Sequence, residues 1–317
     1  MKGQSGVMYE SFFGLKENPF NLTPDPRYLF LSTQHREALN HLLYGVKERK
    51  GFIVMTGGIG TGKTTLCRAF IAALDAAVDS ALVFNAGVSD TELLKTIVQE
   101  FDIKMGKGRK TKKNYVDALN QFLLKGFSEG RNAVVLIDEA QNLSRGVLEQ
   151  LRMLSNLETD REKLLQIVLL GQPELQESLQ SPSLRQLNER ITVRYELAPL
   201  DQIQVREYIE HRIAVAGDGN AKVTFVPGAY KLVFGYSRGI PRRINAICDR
   251  ALLIAYTKDS PVVTAGIVRR ATHDIGGGYL RGFPGFQGDR AILMMVALIL
   301  SACTIFLIAL VLWQNSL

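Results

Sequence analysis

One spacing of residues in this chain suits phosphate. The run Gly57, Gly58, Ile59, Gly60, Thr61, Gly62, Lys63, Thr64, Thr65 fits GxxxxGK[ST] from Gly57 to Thr64. Glycines let the backbone turn so that successive N–H groups face one point, and a helix starting directly after them adds partial positive charge. Lys63 would then reach β- and γ-phosphates, and the Thr64 hydroxyl would bind Mg²⁺. Further along, "VVLIDEAQ" runs four apolar residues into Asp138 and Glu139. Asp138 would orient Mg²⁺ through its water shell, and Glu139 would accept a proton from an attacking water, or orient it. Binding alone would not require Glu139, so the set points to hydrolysis of ATP.

These residues need elements that bring them to one place. Short runs rich in Val, Ile and Leu at 51–56, 80–85, 133–138, 164–171 and 190–197 read as buried parallel strands, with helical patterns between them. In one of those helices Ser89 and Glu92 have capping-box spacing ahead of Leu93 and Leu94. The phosphate loop follows the first strand and the acidic pair ends the third. Both therefore fall at carboxyl ends of strands, where doubly wound α/β layers bind ligands. From about Asp201 no further strand is expected: 201–217, 227–239, 241–259 and 264–275 read as four helices, the last opened by Thr264. The expected organisation is an α/β nucleotide-binding domain over 1–200, a small helical domain over 201–275, a glycine-rich linker at 276–290 and an apolar helix at 291–313.

That last stretch, Ala291 to Trp313, has twenty-three residues and no charge. At about 1.5 Å per residue it would span roughly 34 Å, which predicts a single transmembrane helix. Arg281 and Arg290 precede it and no basic residue follows, which predicts a cytoplasmic main domain. Lys and Arg total 38 against 31 Asp and Glu, a net charge of +7 compatible with nucleic acid or an anionic membrane surface and decisive for neither. Six basic residues fall within 104–113, as a solvated loop or as a contact for phosphate or an acidic partner. Cys67, Cys248 and Cys303 are odd in number and far apart, and His35, His41, His211 and His273 have no ligand spacing. A disulfide scaffold and a structural metal site are not expected.

Several longer segments carry a family resemblance: "MYESFFGLKENPFNLTPDPRYLFLSTQHREAL", "GFIVMTGGIGTGKTT", "VVLIDEAQNL", "LLGQPEL", "LRQLNERITVRYELAPL" and "GIPRRIN". On these the chain resembles the AAA+ ATPases, and within them the ExeA-type component of the bacterial general secretion pathway and its relatives in pilus assembly. The resemblance implies an AAA+ P-loop fold with a parallel five-stranded sheet and a helical lid. It casts Gln172 as the sensor of the γ-phosphate, Asn85 as the polar residue that restrains the glutamate, and Arg242 as a second sensor on the lid. It also implies that an arginine of one subunit completes the site of the next, with Arg190 the first choice and Arg185 the second, and hence a homo-oligomer. Phe20 and His35 become candidates for the wall against adenine, with an apolar core contact the equal alternative for Phe20. ExeA-type proteins usually continue beyond the membrane into a peptidoglycan-binding domain, whereas only "QNSL" follows Trp313, so whether peptidoglycan is contacted stays open.

The resulting expectation is a single-pass protein of the bacterial inner membrane. It would hydrolyse ATP in the cytoplasm to assemble or localise an envelope machine, with an inner-membrane secretion or pilus protein as partner. The alternative is a DNA-associated AAA+ ATPase related to transposition regulators.

Overall fold

The computed structural model describes residues 9–276 apart from 24, 85, 86, 88, 107 and 109. Five parallel strands, β1 (Phe52–Gly57), β2 (Val78–Val83), β3 (Asn132–Ile137), β4 (Gln166–Gly171) and β5 (Ile191–Leu197), form one sheet in the order β2-β3-β4-β1-β5. Each lies within two residues of its expected start. Residues at alternate positions go to opposite faces, so a strand covered on both sides must be apolar throughout. Phe52, Val54, Val135, Ile137, Ile167 and Leu169 join one core, and Ile53, Met55, Val134, Leu136, Val168 and Leu170 the other.

Helices α1 (Thr33–Lys47) and α2 (Lys63–Ala72) cover the second face, while α3 (Asp90–Glu100), α4 (Lys112–Ser128) and α5 (Arg145–Leu154) cover the first. The α3 capping box is present: Glu92 N–H donates to Ser89 Oγ at 3.3 Å, and Ser89 N–H donates to Glu92 Oε2 at 2.9 Å. Two short helices, α6 (Pro173–Leu179) and α7 (Arg185–Asn188), follow β4.

The four helices expected after Asp201 are α8 (Gln202–Gly217), α9 (Pro227–Ser237), α10 (Pro241–Tyr256) and α11 (Ala265–Gly276). Ile267 N–H donates to Thr264 Oγ1 at the start of α11. The expectation that strands end at Asp201 is corrected by a two-stranded parallel sheet of β6 (Thr224–Phe225) and β7 (Val262–Val263). Two-residue strands are too short to show any alternation. The chain divides into two compact units, Met1–Ala271 and Thr272–Leu317, and of the second only 272–276, the end of α11, are described.

Gly239 fixes where α10 begins. Its φ is +74°, and a Cβ there would lie 1.9 Å from the Leu200 carbonyl oxygen, while its own carbonyl accepts from Leu200 N–H at 2.9 Å. Both the left-handed conformation and the close approach exclude a side chain. Gly239→Ala is expected to lower stability by about 2–4 kcal/mol, measured as a shift in urea midpoint.

A strap formed by residues 9–23 is tied to α8 and α10. Asn18 Nδ2 and the Tyr9 hydroxyl both donate to Asp249 Oδ1 on α10, Lys16 N–H donates to Ala216 O on α8, and Lys222 N–H donates to Phe13 O. Phe12 meets Tyr256 edge-on at 5.6 Å, and Phe13 and Phe20 are buried.

The expected transmembrane helix, and with it the placement as a single-pass inner-membrane protein, is corrected. Among the described residues no helix is long and apolar enough to cross a membrane. The longest of them, α4, has 17 residues and carries Lys112, Lys113, Asp117 and Lys125, whereas a span needs about 20 mostly apolar ones. The segment 291–313 lies outside the described residues.

Candidate functional site

Gly57 ends β1 and Lys63 begins α2, so the phosphate loop is the turn between them. Gly60 and Gly62 have φ of +78° and +106°, conformations that disfavour a Cβ. They also admit neighbours closely. A Cβ on Gly60 would come within 2.7 Å of Arg242 Cβ, and one on Gly62 within 2.9 Å of His35 Nε2. Arg242 N–H donates to Gly60 O at 3.3 Å, which ties the first turn of α10 to the loop.

Lys63 is buried, and its ammonium donates to two neutral carbonyls, Gly57 O at 2.7 Å and Gly58 O at 3.1 Å. Burial pushes its pKa down, against the pull of Glu139, Asp138 and Glu174. A desolvated cation held by carbonyls alone suits an anionic ligand. Thr64 Oγ1 donates to Asp138 Oδ2 at 2.8 Å, and the other carboxylate oxygen accepts from Glu139 N–H at 2.9 Å. A hydroxyl beside a carboxylate is the hard oxygen set that Mg²⁺ takes.

Glu139 stands just beyond β3 with φ +54°, left-handed for a residue with a side chain. Gln172, directly after β4, donates from Nε2 to Glu139 Oε2 at 3.3 Å. The residue expected to restrain the glutamate, Asn85, lies outside the described residues.

Lys63, Thr64, Glu139, Gln172 and Arg242 all line one cleft of about 400 Å³, together with Asn21 to Thr23 of the strap and Arg212. Sequence reasoning missed Arg212. Its guanidinium is buried, stacks on Tyr28 and Tyr208 at 4.6 and 5.6 Å, and donates to the carbonyls of Pro19 and Asn21 and to the Tyr208 hydroxyl. Tyr208 in turn donates to Asn245 on α10 at 2.9 Å. The available signal was a Tyr and an Arg one turn apart on α8. Arg212 also lines a smaller pocket of about 60 Å³ with Tyr28, Phe30, His35, Leu200 and Pro241. Of the two candidates for a base wall, His35 lines this pocket, while Phe20 is a core residue lining neither cavity.

His35 donates from Nε2 to Thr61 O at 3.1 Å, and its Nδ1 lies 2.7 Å from Ser32 Oγ. Burial pushes its pKa down, partly offset by the Thr61 contact. The native state then binds fewer protons than the unfolded one just below the ordinary histidine value, so stability falls with pH through that value toward the lower folded one. Melting curves should show wild type losing stability relative to His35→Gln between pH 7.5 and 5.5.

The two arginines expected to act across subunits differ. Arg190 precedes β5, so it lies at the end of the sheet opposite the phosphate loop, and its Nη1 donates to Arg152 O, Ser155 Oγ and Asn156 Oδ1 at the end of α5. Arg185 has an 80% exposed side chain paired with Glu189 at 2.9 Å. An exposed pair of this kind is weak and readily exchanged for another partner.

Residues 46–179 match the family model of the AAA domain. The chain is 45% identical over 270 residues to General secretion pathway protein A of Aeromonas hydrophila, a match covering 85% of this chain and 49% of that protein. It thus spans about half the length of this curated relative. Among solved structures it is similar to the ADP form of the ORC2 protein of Aeropyrum pernix, with TM-score 0.60 and 18% identity over 81% of this chain and 73% of that one. It is also similar to CDC6P of Pyrobaculum aerophilum, with TM-score 0.59 and 17% identity over 83% and 75%. At such identities these likenesses show the fold alone, an AAA+ P-loop α/β fold. With 45% identity in sequence, this fold and an AAA domain over residues 46–179, the chain is a homologue of general secretion pathway protein A that carries an AAA domain.

Proposed function

We propose that the protein binds ATP with Mg²⁺ in the 400 Å³ cleft, hydrolyses it, and uses the cycle to assemble or localise a cell-envelope machine. The observation that carries the reading is the meeting of Lys63, Thr64, Asp138 and Glu139 at the ends of β1 and β3. Lys63 and the loop N–H groups hold the β- and γ-phosphates, and Glu139 takes a proton from, or orients, the attacking water. Thr64 and Asp138 would hold Mg²⁺, which neutralises charge on the phosphate oxygens when bound. Gln172 and Arg242 contact the γ-phosphate from the sheet and from the lid, the latter region being 201–275. Arg185 of a neighbouring copy is the better placed to complete the site, since the Arg190 guanidinium is engaged within its own chain.

The name of the curated relative favours a secretion machine over a type IV pilus or polysaccharide export apparatus. The DNA-associated alternative draws nothing from the likeness to solved structures, which carries fold alone. Phosphate release from ATP by the purified protein should be abolished by EDTA and restored by Mg²⁺. Release that is indifferent to EDTA overturns the metal assignment, and no release with Mg²⁺ overturns hydrolysis. A strain carrying Lys63→Ala should lose secretion, piliation or polysaccharide export. Retention of all three overturns the envelope role.

A further inference from the structure

Among the described residues, the side-chain hydrogen bonds to the Glu139 carboxylate come from two glutamines. Its left-handed backbone costs about 1–2 kcal/mol for a residue with a Cβ, so the carboxylate is aimed by an unusual turn and by what surrounds it. The turn continues as a single 3-10 turn, Ala140–Asn142, which brings Gln141 back toward the residue two before it. Gln141 Nε2 donates to Glu139 Oε2 at 2.5 Å, the same oxygen that accepts from Gln172 Nε2 at 3.3 Å.

The orientation of the Gln141 amide follows from its partners. Its Oε1 accepts from the backbone N–H of Gln172 at 3.0 Å, and an N–H cannot accept. The amide NH₂ must therefore face the carboxylate, because the flipped amide would set oxygen against oxygen and N–H against N–H. The end of β4 is shaped to admit this side chain. A Cβ on Gly171 would lie 3.2 Å from Gln141 Oε1 and 2.7 Å from Leu175 Cδ2. The segments "DEAQ" and "LLGQPEL" thus interlock through one side chain that joins the end of β3 to the end of β4.

We propose that Gln141 is a positioning residue for hydrolysis. It holds the Glu139 carboxylate in place and links it to the backbone of Gln172, so that a shift of Gln172 on meeting the γ-phosphate is passed to the glutamate. The inference rests on the reading of Glu139 as the residue that acts on water. It assigns a task to the last residue of "DEAQ" that neither phosphate binding nor Mg²⁺ uses.

Glutamate at this position separates positioning from packing. Gln141→Glu keeps the side-chain shape and an oxygen acceptor for Gln172 N–H, and presents oxygen where the donor to Glu139 stood. At pH 8, kcat for Mg-ATP should fall roughly ten- to hundredfold, with KM and ATP affinity within about twofold of wild type and the melting midpoint little changed. Gln141→Leu should lose at least as much kcat. A Gln141→Glu kcat within twofold of wild type overturns the proposal. So does a fall in kcat that comes only with matching losses of ATP affinity and thermal stability, since that is a packing role. Glu139→Gln, assayed alongside, separates the two claims. If it is inactive while Gln141→Glu works normally, only the positioning role falls; if it turns over normally, the role of Glu139 falls and that of Gln141 with it.

Discussion

Glu139→Gln is expected to cut steady-state ATP hydrolysis by roughly 10² to 10⁴-fold, the usual worth of a positioned proton acceptor, and to leave ATP bound. The substitution is isosteric, so the turn after β3 has no new atom to accommodate. Lys63, the loop glycines and the Thr64–Asp138 pair are untouched, and these are the groups proposed to hold phosphate and metal. An amide oxygen still accepts from Gln141 and Gln172, yet it cannot take a proton from water at neutral pH. Phosphate release and the affinity of a fluorescent ATP analogue, measured on one preparation, check both halves. Turnover within tenfold of wild type would remove Glu139 from its role.

Lys63→Met is expected to separate stability from ligand binding. The ammonium is buried against two carbonyls, and desolvation lowers its pKa. A lysine depressed in this way binds fewer protons in the native than in the unfolded state between its folded and ordinary values, so stability rises with pH across that window. Below the depressed folded value the full penalty of burying the charge is present. A methionine of similar length removes that penalty, and the apo melting midpoint should hold or rise. The response to ATP should go the other way. At ATP one hundred times its Kd, wild type gains about 2.7 kcal/mol, whereas a variant binding about a hundredfold more weakly gains about 0.4 kcal/mol. Differential scanning calorimetry with and without Mg-ATP measures both, and a full ATP-induced shift in Lys63→Met would overturn the phosphate role of the lysine.

How much of this was readable from the chain depends on the range of each interaction. The inner strands β1, β3 and β4 were legible because a parallel sheet covered on both faces demands unbroken apolar runs, and "FIVMT" or "AVVLI" has few other uses. The edge strands β2 and β5 mix in polar residues and were legible by their β-branched and apolar content. The phosphate loop and the pair Asp138 and Glu139 were legible because their chemistry is written in contiguous residues. Sheet topology then brings Thr64 to Asp138 across 74 positions. The network around Arg212 was not, since it is assembled from α8, α10, Tyr28 and two strap carbonyls that are neighbours only after folding. Phe20 stayed open between a base wall and the core for the same reason: "NPF" signals a turn, made by Asn18 Oδ1 accepting from Phe20 N–H at 2.7 Å, and leaves undecided where the ring goes.

The strap has a consequence for how the chain is made. Tyr9 and Asn18 meet their common partner, Asp249, at separations of 240 and 231 positions. At a synthesis rate of about 5–20 residues per second, roughly 12–48 s pass between the emergence of Tyr9 and that of its partner. Through that interval the strap that carries Phe13, fully buried in the finished chain, lacks its anchor on α10. The first described segment to leave the ribosome is thus among the last to be secured. A nascent chain stopped before α10 should present an aromatic segment to chaperones that the finished chain hides.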